Sequence, residues 1–425
     1  MKKIRIGLAG LGIVGKGVYD ILQKDADLIA ARSDSQLEIV AVSARHKKDF
    51  IDEKKVKFYP NAVDMASDSE VDVIVEVIGG NDIAKDLFVA SIKNGKKFVT
   101  ANKAMVAEQA DELMKLVEKH NGYIAFEAAV AGATPIIKSF REGLAANEIK
   151  EFYAILNGTC NFILTKMQNE NLDFAVALKE AQDLGYAESD PTFDIKGIDT
   201  AHKLAILAAI ADGSKPSFKD IYIEGVDEVA IDDIKLALEL GYKIKLLAIY
   251  KKLENSCSQT VYPALVKVTE KIAQIDGAFN AILTDASNAG WNFTAGRGAG
   301  SLPTASAIVA DLIDIANNRK SVIFGVKNDA LKEAKITKIS DRVGQYFLRL
   351  TLDKTLSQKT HNLSEVIFGD KIKIEKSVFT EGEEEIVCAF ITANLKEKDL
   401  IEIVKNLDKK LVKSAKFLRV ENTGF

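Results

Sequence analysis

The first 130 residues alternate between two rhythms. Short runs of strand character (KIRIGLAG, LEIVAVSAR, VDVIVEVIG, KKFVTAN and GYIAFEAAV) are separated by stretches whose apolar residues recur every three or four positions. In KGVYDILQKDADLIAARS those positions are Val18, Ile21, Leu22, Leu28 and Ile29, which fall on one helical face. DIAKDLFVASIKNG and KAMVAEQADELMKLVEKHNG each close on a glycine suited to a helix C-cap. Near-continuous apolar strands alternating with helices predict an α/β fold with a doubly wound parallel sheet, of the Rossmann kind.

From about residue 134 the helical periods lengthen, in TPIIKSFREGL, NFILTKMQNENLDFAVALKEAQDLG and GIDTAHKLAILAAIADG. Strand-like EIKEFYAILNG, IKLLAIYKKLE, SQTVYPALVKVT, AFNAILTDA and WNFTAGRG lie among them, predicting an α+β domain with a mixed sheet over 134–302. PTASAIVADLIDIANNRK reads as a helix at about 303–320 that packs back on the first domain, 1–133. After a linker at 321–345, the runs QYFLRLTL, KIKIEKSVFT, EEIVCAFITAN, KEKDLIEIVKNLDKKLV and AKFLRVEN predict a small α+β domain over 346–425. The acidic run Glu381 to Glu385 reads as a solvated hairpin turn.

Composition narrows the picture. With 425 residues, 47% of them apolar, the chain can bury sizeable cores. A net charge of -4 leaves no basic excess to neutralise a phosphate backbone, so nucleic acid is not an expected partner. Lys2, Lys3 and Arg5 precede the apolar run Ile6 to Val14, but the glycines inside it and Lys16 directly after it are unlike a secretion signal. With no stretch long enough to cross a bilayer, a soluble, cytoplasmic protein is expected. Cys160, Cys257 and Cys388 lack the spacing of a disulfide framework or zinc site, and the four histidines are scattered.

Four clusters could carry chemistry. Gly10, Gly12 and Gly15 of GLGIVG match the dinucleotide fingerprint between a strand and a helix: a tight turn, close approach of a pyrophosphate, and helix packing on strand. At the end of the second strand stands Arg45 rather than an acid, which favours NADP over NAD. VTANKA puts Thr100 and Lys103 at the C-terminal end of a strand, where such sheets bind ligands; the alternative is a helix start with Asn102 as N-cap and Lys103 solvated.

The third cluster is GYAESDPTFDIKGIDTAHKLAIL. Glu188, Asp190 and Asp194 lie in a turn-rich loop, and Asp199 and Lys203 follow four residues apart on an apolar helix. A lysine beside an acid in a cleft can pass a proton to a developing alkoxide; a surface ion pair is the alternative. In FEAAVAGATPII, Glu127 runs into small residues whose carbonyls can turn inward, and one carboxylate with several backbone oxygens is a ligand set suited to a weakly held hard cation.

Together GLGIVG, VTANKA, EAAVAGATPII, LNGTCNFIL, GYAESDPTFDIKGIDTAHKLAIL and GRGAGSLPTASAIVAD resemble the homoserine dehydrogenases, in the family's order, over residues 4 to about 320. The resemblance implies a Rossmann domain, a substrate and dimerisation domain, and reversible NAD(P)H-dependent reduction of L-aspartate 4-semialdehyde to L-homoserine, on the route to threonine, methionine and isoleucine. It implies a homodimer or dimer of dimers. By motif, Gly10, Leu11, Gly12, Ile13, Val14, Gly15, Arg45, Thr100, Lys103, Gly185 and Gly300 would contact cofactor, NADP or NAD. Glu188 and Asp199 would hold the substrate, Lys203 would give and take the proton, and Lys103 would assist. Glu127, Val130, Gly132 and Thr134 would bind a monovalent cation such as sodium. Cys160 stands where the family usually has threonine. The tail from about Tyr346 to Val420 resembles the ACT-type regulatory domain, but Thr355, Leu356 and Ser357 follow LDK where a proline-glycine turn is usual. That departure implies a structural or dimerising tail with threonine inhibition weak or absent.

Overall fold

In the computed structural model, which describes residues 1–425 apart from 53, 81, 321, 355–362, 383 and 384, the alternating N-terminal pattern forms six strands. They are β1 (Lys2–Ala9), β2 (Ser35–Ser43), β3 (Lys57–Tyr59), β4 (Val73–Glu76), β5 (Lys97–Thr100) and β6 (Tyr123–Ala125). Every pairing is parallel and the order is β3-β2-β1-β4-β5-β6. The order reverses between β1 and β4, so the crevice at the carboxyl ends of these two strands is the switch point of a doubly wound sheet.

The chain divides into two compact units, each built from three stretches. The first comprises Met1–Glu151, His202–Asp220 and Asn280–Ala334; the second comprises Phe152–Ala201, Ile221–Phe279 and Lys335–Phe425. In the first unit the helix Ser301–Ala316 covers the parallel sheet, its Ala305, Ile308 and Leu312 buried with Ile6, Leu8, Val75 and Val99. It approaches the helix Ile13–Lys24 so closely that a Cβ on Gly17 would lie 2.7 Å from the Ser301 carbonyl oxygen.

The remaining strands are β7 (Ile149–Ile155), β8 (Tyr222–Ile223), β9 (Tyr242–Lys252), β10 (Cys257–Lys267), β11 (Phe279–Ala286), β12 (Gly290–Arg297), β13 (Val343–Gly344), β14 (Tyr346–Asp353), β15 (Ile374–Glu381), β16 (Glu385–Thr392), β17 (Leu395–Lys396) and β18 (Val412–Glu421). In the second unit β9 and β10 form a long antiparallel pair, and β18 joins β10 in parallel. The tail runs β14, helix Leu363–Phe368, β15, β16, helix Glu397–Lys405, β18, with sheet order β18-β14-β16-β15. Its pairs β14/β18, β14/β16 and β15/β16 are antiparallel, a split βαβ arrangement. Tyr346, Leu348, Leu350, Leu352, Ile386, Cys388, Phe390 and Leu400 make its core. Of the acidic run, Glu381 ends β15, Glu385 starts β16, and Gly382 N donates to the Glu385 carbonyl at 2.8 Å, while Glu383 and Glu384 lie outside the described residues. Thr355, Leu356 and Ser357 lie outside the described residues.

Three of the long helical periods are each two helices. The first breaks at Asp25 (φ -107°, ψ 23°), the fifth-strand crossover at Gln109 (φ -115°, ψ 14°), and the third at Asn171, which adopts left-handed φ 55°. Asp and Asn side chains compete for backbone groups and tolerate such conformations, so an apolar stripe can continue across a break in the backbone. TPIIKSFREGL gives one short turn, Ile136–Lys138, that widens into a π-turn at Ser139–Gly143. GYIAFEAAV keeps strand pairing only to Ala125, and Glu127 opens a 3₁₀ turn. Among the described residues no helix is long and apolar enough to cross a membrane.

Candidate active site

The turn after β1 holds its shape through its glycines. Gly10 has φ +106°, and a Cβ there would lie 2.6 Å from the Val77 carbonyl oxygen. A Cβ on Gly15 would come within 1.9 Å of the Gly10 carbonyl oxygen, so this glycine lets the helix start against the strand end. Gly12, the N-cap of helix Ile13–Lys24, has nothing within 4 Å of a built Cβ. It faces open space, as a residue approached by a ligand should.

That open space is a cavity of about 420 Å³ running from Gly10, Leu11 and Gly12 past Ser43, Ala44 and Arg45 at the end of β2. His46 and Lys48 also line it, with Asn61, Val77, Ile78 and Ile83, and among the described residues no acid does. The exposed Ile78 and Ile83 offer an apolar wall. Arg45 was legible in the sequence, but His46 and Lys48 were not, because their only signal was nearness to it. Gly300 also comes to this turn: it has φ +117° at the N-cap of helix Ser301–Ala316, and the next residue's hydroxyl, on Ser301, donates to the Ile13 carbonyl at 2.7 Å.

Thr100 ends β5 fully buried, and its hydroxyl donates to Glu76 Oε2 at 2.5 Å. The other carboxylate oxygen of Glu76 accepts the backbone N–H groups of Ile78 (2.7 Å) and Gly79 (3.1 Å). Burial pushes this carboxyl up, against the hydrogen bonds that favour its charged form. Glu76 thereby ties the β5 terminus to a loop that lines the cavity, and it was missed in the sequence. Its signal was an acid inside the otherwise apolar VDVIVEVIG. Asn102 caps the helix Lys103–Glu108 through Met105 N at 3.1 Å and donates to the Gly80 carbonyl. Lys103 is half-buried at the first position of that helix.

The same helix ends at Glu108, which meets His202 Nε2 at 2.6 Å. His202 is buried and stacks on Phe218 with ring centroids 4.0 Å apart. Its neighbour Lys203 is half-buried on helix Ile198–Asp212.

Glu127 is almost fully buried, and its carboxylate accepts from Ile137 N at 3.0 Å and Lys138 N at 2.9 Å. Its own N–H donates to Asp311, which with Asp314 pairs the Lys138 ammonium. Burial and the Asp311 charge push the Glu127 carboxyl up to about 7. Beyond it, Ala131 (φ +58°) and Gly132 (φ +51°) reverse the chain between Val130 and Thr134.

In the second unit, Asp199 is 5% exposed and Asp194 half-buried, and both accept from the Asn157 amide, at 2.9 and 2.8 Å. Gly185 has φ +74° with open space around a built Cβ, in the loop after helix Phe174–Asp183. Glu188 is exposed in that loop, whose backbone is held by Gln182 through the Glu188 carbonyl at 3.1 Å. Asp190 serves the loop as a cap for Thr192 N at 3.1 Å.

The homoserine dehydrogenase family profile matches residues 135–313, and the homoserine dehydrogenase NAD-binding domain profile matches residues 10–127. The homoserine dehydrogenase of Neisseria gonorrhoeae (strain ATCC 700825 / FA 1090) is 40% identical over 424 residues, covering 96% of each chain. The crystal structure of a homoserine dehydrogenase from Thiobacillus denitrificans superposes with a TM-score of 0.90 at 37% identity, covering 100% of this chain and 99% of that one. A hyperthermophilic archaeal homoserine dehydrogenase, solved in complex with NADPH, superposes with a TM-score of 0.63 at 27% identity, over 75% of this chain and 99% of that one. Matched over nearly its whole length, with a cavity at the switch point of its parallel sheet, the chain belongs to the homoserine dehydrogenases, NAD(P)-dependent oxidoreductases of amino-acid biosynthesis.

Proposed function

We propose that this enzyme interconverts L-homoserine and L-aspartate 4-semialdehyde with NADP in preference to NAD. The observation that carries the preference is the cavity beside Gly10 and Gly12, lined by Arg45, His46 and Lys48 and, among the described residues, by no acid. An NAD site places a carboxylate on the ribose 2′-hydroxyl, and a 2′-phosphate calls for cations instead. Gly10 to Gly15, Thr100, Lys103, Gly185 and Gly300 are the further cofactor contacts of this reading. Bound in this cavity, reduced nicotinamide cofactor would supply the hydride that the aldehyde carbon gains, and the oxidised form would accept the one that homoserine loses.

The chain's own contribution is orientation and proton transfer. Glu188 and Asp199 hold the substrate's ammonium and hydroxyl side, Lys203 donates the proton to the developing alkoxide, and Lys103 polarises the carbonyl or steadies the cofactor. Asp199 and Lys203 belong to one helix at a spacing of four, so their side chains share a face. A monovalent cation such as sodium would be held by Glu127 with the carbonyls of Val130, Gly132 and Thr134. The left-handed pair Ala131 and Gly132 supports this set, and the Glu127 carboxylate is already engaged by two N–H groups.

The tail, ACT-like in its strand and helix order, has a structural or dimerising role in a homodimer or dimer of dimers. The functional division is 1–133 with helix 303–320 for cofactor, 134–302 for substrate and dimerisation, and 346–425 for the tail.

Two measurements test this reading. Homoserine oxidation followed at 340 nm should show Arg45→Ala raising KM for NADP about tenfold or more, as loss of a charge-assisted phosphate contact implies, with KM for NAD little changed. Equal effects on both cofactors would remove Arg45 from the phosphate site. A threonine titration should leave activity essentially unchanged, and half-inhibition in the low millimolar range would contradict the structural role of the tail.

A further inference from the structure

Asn157 stands at a junction that the substrate residues alone do not explain. Its side-chain oxygen accepts from Cys160 N at 2.8 Å, capping helix Gly158–Glu170. That bond fixes the amide's orientation, because an acceptor must face a backbone N–H. Both hydrogens of the amide nitrogen then point away from the cap, one to Asp194 Oδ1 at 2.8 Å and the other to Asp199 Oδ2 at 2.9 Å. Asn157 is only 4% exposed, so these donors are shielded from water.

The surroundings hold this arrangement rigid. Cys160 Sγ donates to the Asp194 carbonyl at 3.3 Å, so Asp194 is gripped by its backbone as well as by its side chain. One residue on, the Asn161 amide donates to the carbonyls of Ile275 (3.0 Å) and Gly277 (2.8 Å), while buried Lys245 donates to the Asn161 oxygen at 3.2 Å. Gly158 leaves no slack either, since a Cβ there would lie 3.1 Å from the Ala278 carbonyl oxygen. The first turn of this helix is thus a fixed support from which one amide reaches two carboxylates.

We propose that Asn157 is a positioning residue for substrate binding: it spaces and orients Asp194 and Asp199 so that they present ready acceptors to the cationic and hydroxyl groups of the amino-acid substrate. Two nearby carboxylates repel, and a shared neutral donor anchored by its own oxygen keeps them together without adding a charge that would compete with the substrate's ammonium. Cys160 acts with it, since a thiol or a hydroxyl at that position can donate to the Asp194 carbonyl. The inference rests on Asp199 as a substrate-binding residue.

The test compares Asn157→Ser, Asn157→Asp and Asp199→Asn. Serine also caps helices, so the melting temperature of Asn157→Ser should stay close to that of the parent protein, whereas Asn157→Asp sets a third buried carboxylate against two others and should melt lower. Neither donates two hydrogens to the carboxylates. KM for homoserine should therefore rise roughly tenfold in Asn157→Ser and more in Asn157→Asp, by the usual worth of hydrogen bonds to charged groups, while KM for NADP stays unchanged. Cys160→Thr should keep parental KM values. An unchanged homoserine KM in Asn157→Ser, with the Asp199→Asn KM raised, would overturn the positioning role alone. An unchanged KM in Asp199→Asn would overturn the substrate reading and the inference with it.

Discussion

Gly12 and Gly15 lie in the same six-residue turn for opposite reasons, and single substitutions separate them. A methyl on Gly15 would sit 1.9 Å from the Gly10 carbonyl oxygen, backbone against backbone, whereas one on Gly12 meets nothing within 4 Å. Gly15→Ala should destabilise the protein by about 3 kcal/mol or more, the range for strained overpacking. Gly12→Ala should melt with the parent protein and lose cofactor affinity, because the methyl fills space a pyrophosphate would approach. Thermal melts and KM for NADP on the two variants check this; a stable Gly15→Ala or a fully active Gly12→Ala would contradict it. The spacing of these glycines was legible in the sequence because each role is local. The buried Glu76 was not read, since its meaning depends on Thr100, which the fold brings to it from β5, as well as on the loop at 78–79 that follows it.

At the scale of elements, β18 shows how much the chain invests in joining its tail to the rest of the second unit. Arg419 is 1% exposed and binds both carboxylate oxygens of Glu397, at 2.8 and 2.6 Å, and Glu224 at 2.7 Å. Two residues on, buried Glu421 accepts from Lys251, Arg342 and the Tyr262 hydroxyl, each at 2.7 Å. Burial alone would push the Glu421 carboxyl up, but Lys251 and Arg342 overcome it and hold it at about 2. A carboxyl held below its unfolded value of 4.5 binds fewer protons when folded, so its stabilisation is present above about pH 4.5 and is lost as pH falls towards 2. Glu421→Gln should cost about 3–5 kcal/mol at pH 7, since it leaves buried cations without their charge partner, and should flatten the acid limb. Urea melts at pH 7 and pH 3 would measure both, and an unchanged slope between those pH values would contradict the assignment. Patterning identified β18 as a strand but not its partner, since the pairing Ala264 with Arg419 spans about 155 residues.

For the whole molecule, the limit on reading the sequence was the same in kind. Apolar period placed the parallel sheet and most later strands, because burial dictates period locally. It did not place short β3, β8, β13 and β17 or the helix Ile231–Glu239, and it ran one stripe through the breaks at Asp25, Gln109 and Asn171. Nor could it see that each compact unit is assembled from three separated stretches, with the helix Ile198–Asp212 carrying the chain from one to the other. That helix also carries the proposed proton transfer, in which Lys203 moves the proton while Asp199, one turn earlier, holds the substrate. The direct measurement is the turnover of Lys203→Ala in homoserine oxidation at 340 nm. Loss of a general acid and base predicts kcat lowered by roughly 10² to 10⁴ with the melting temperature unchanged. Turnover equal to that of the parent protein would contradict it and move the proton transfer to another group, with Lys103 the first to examine.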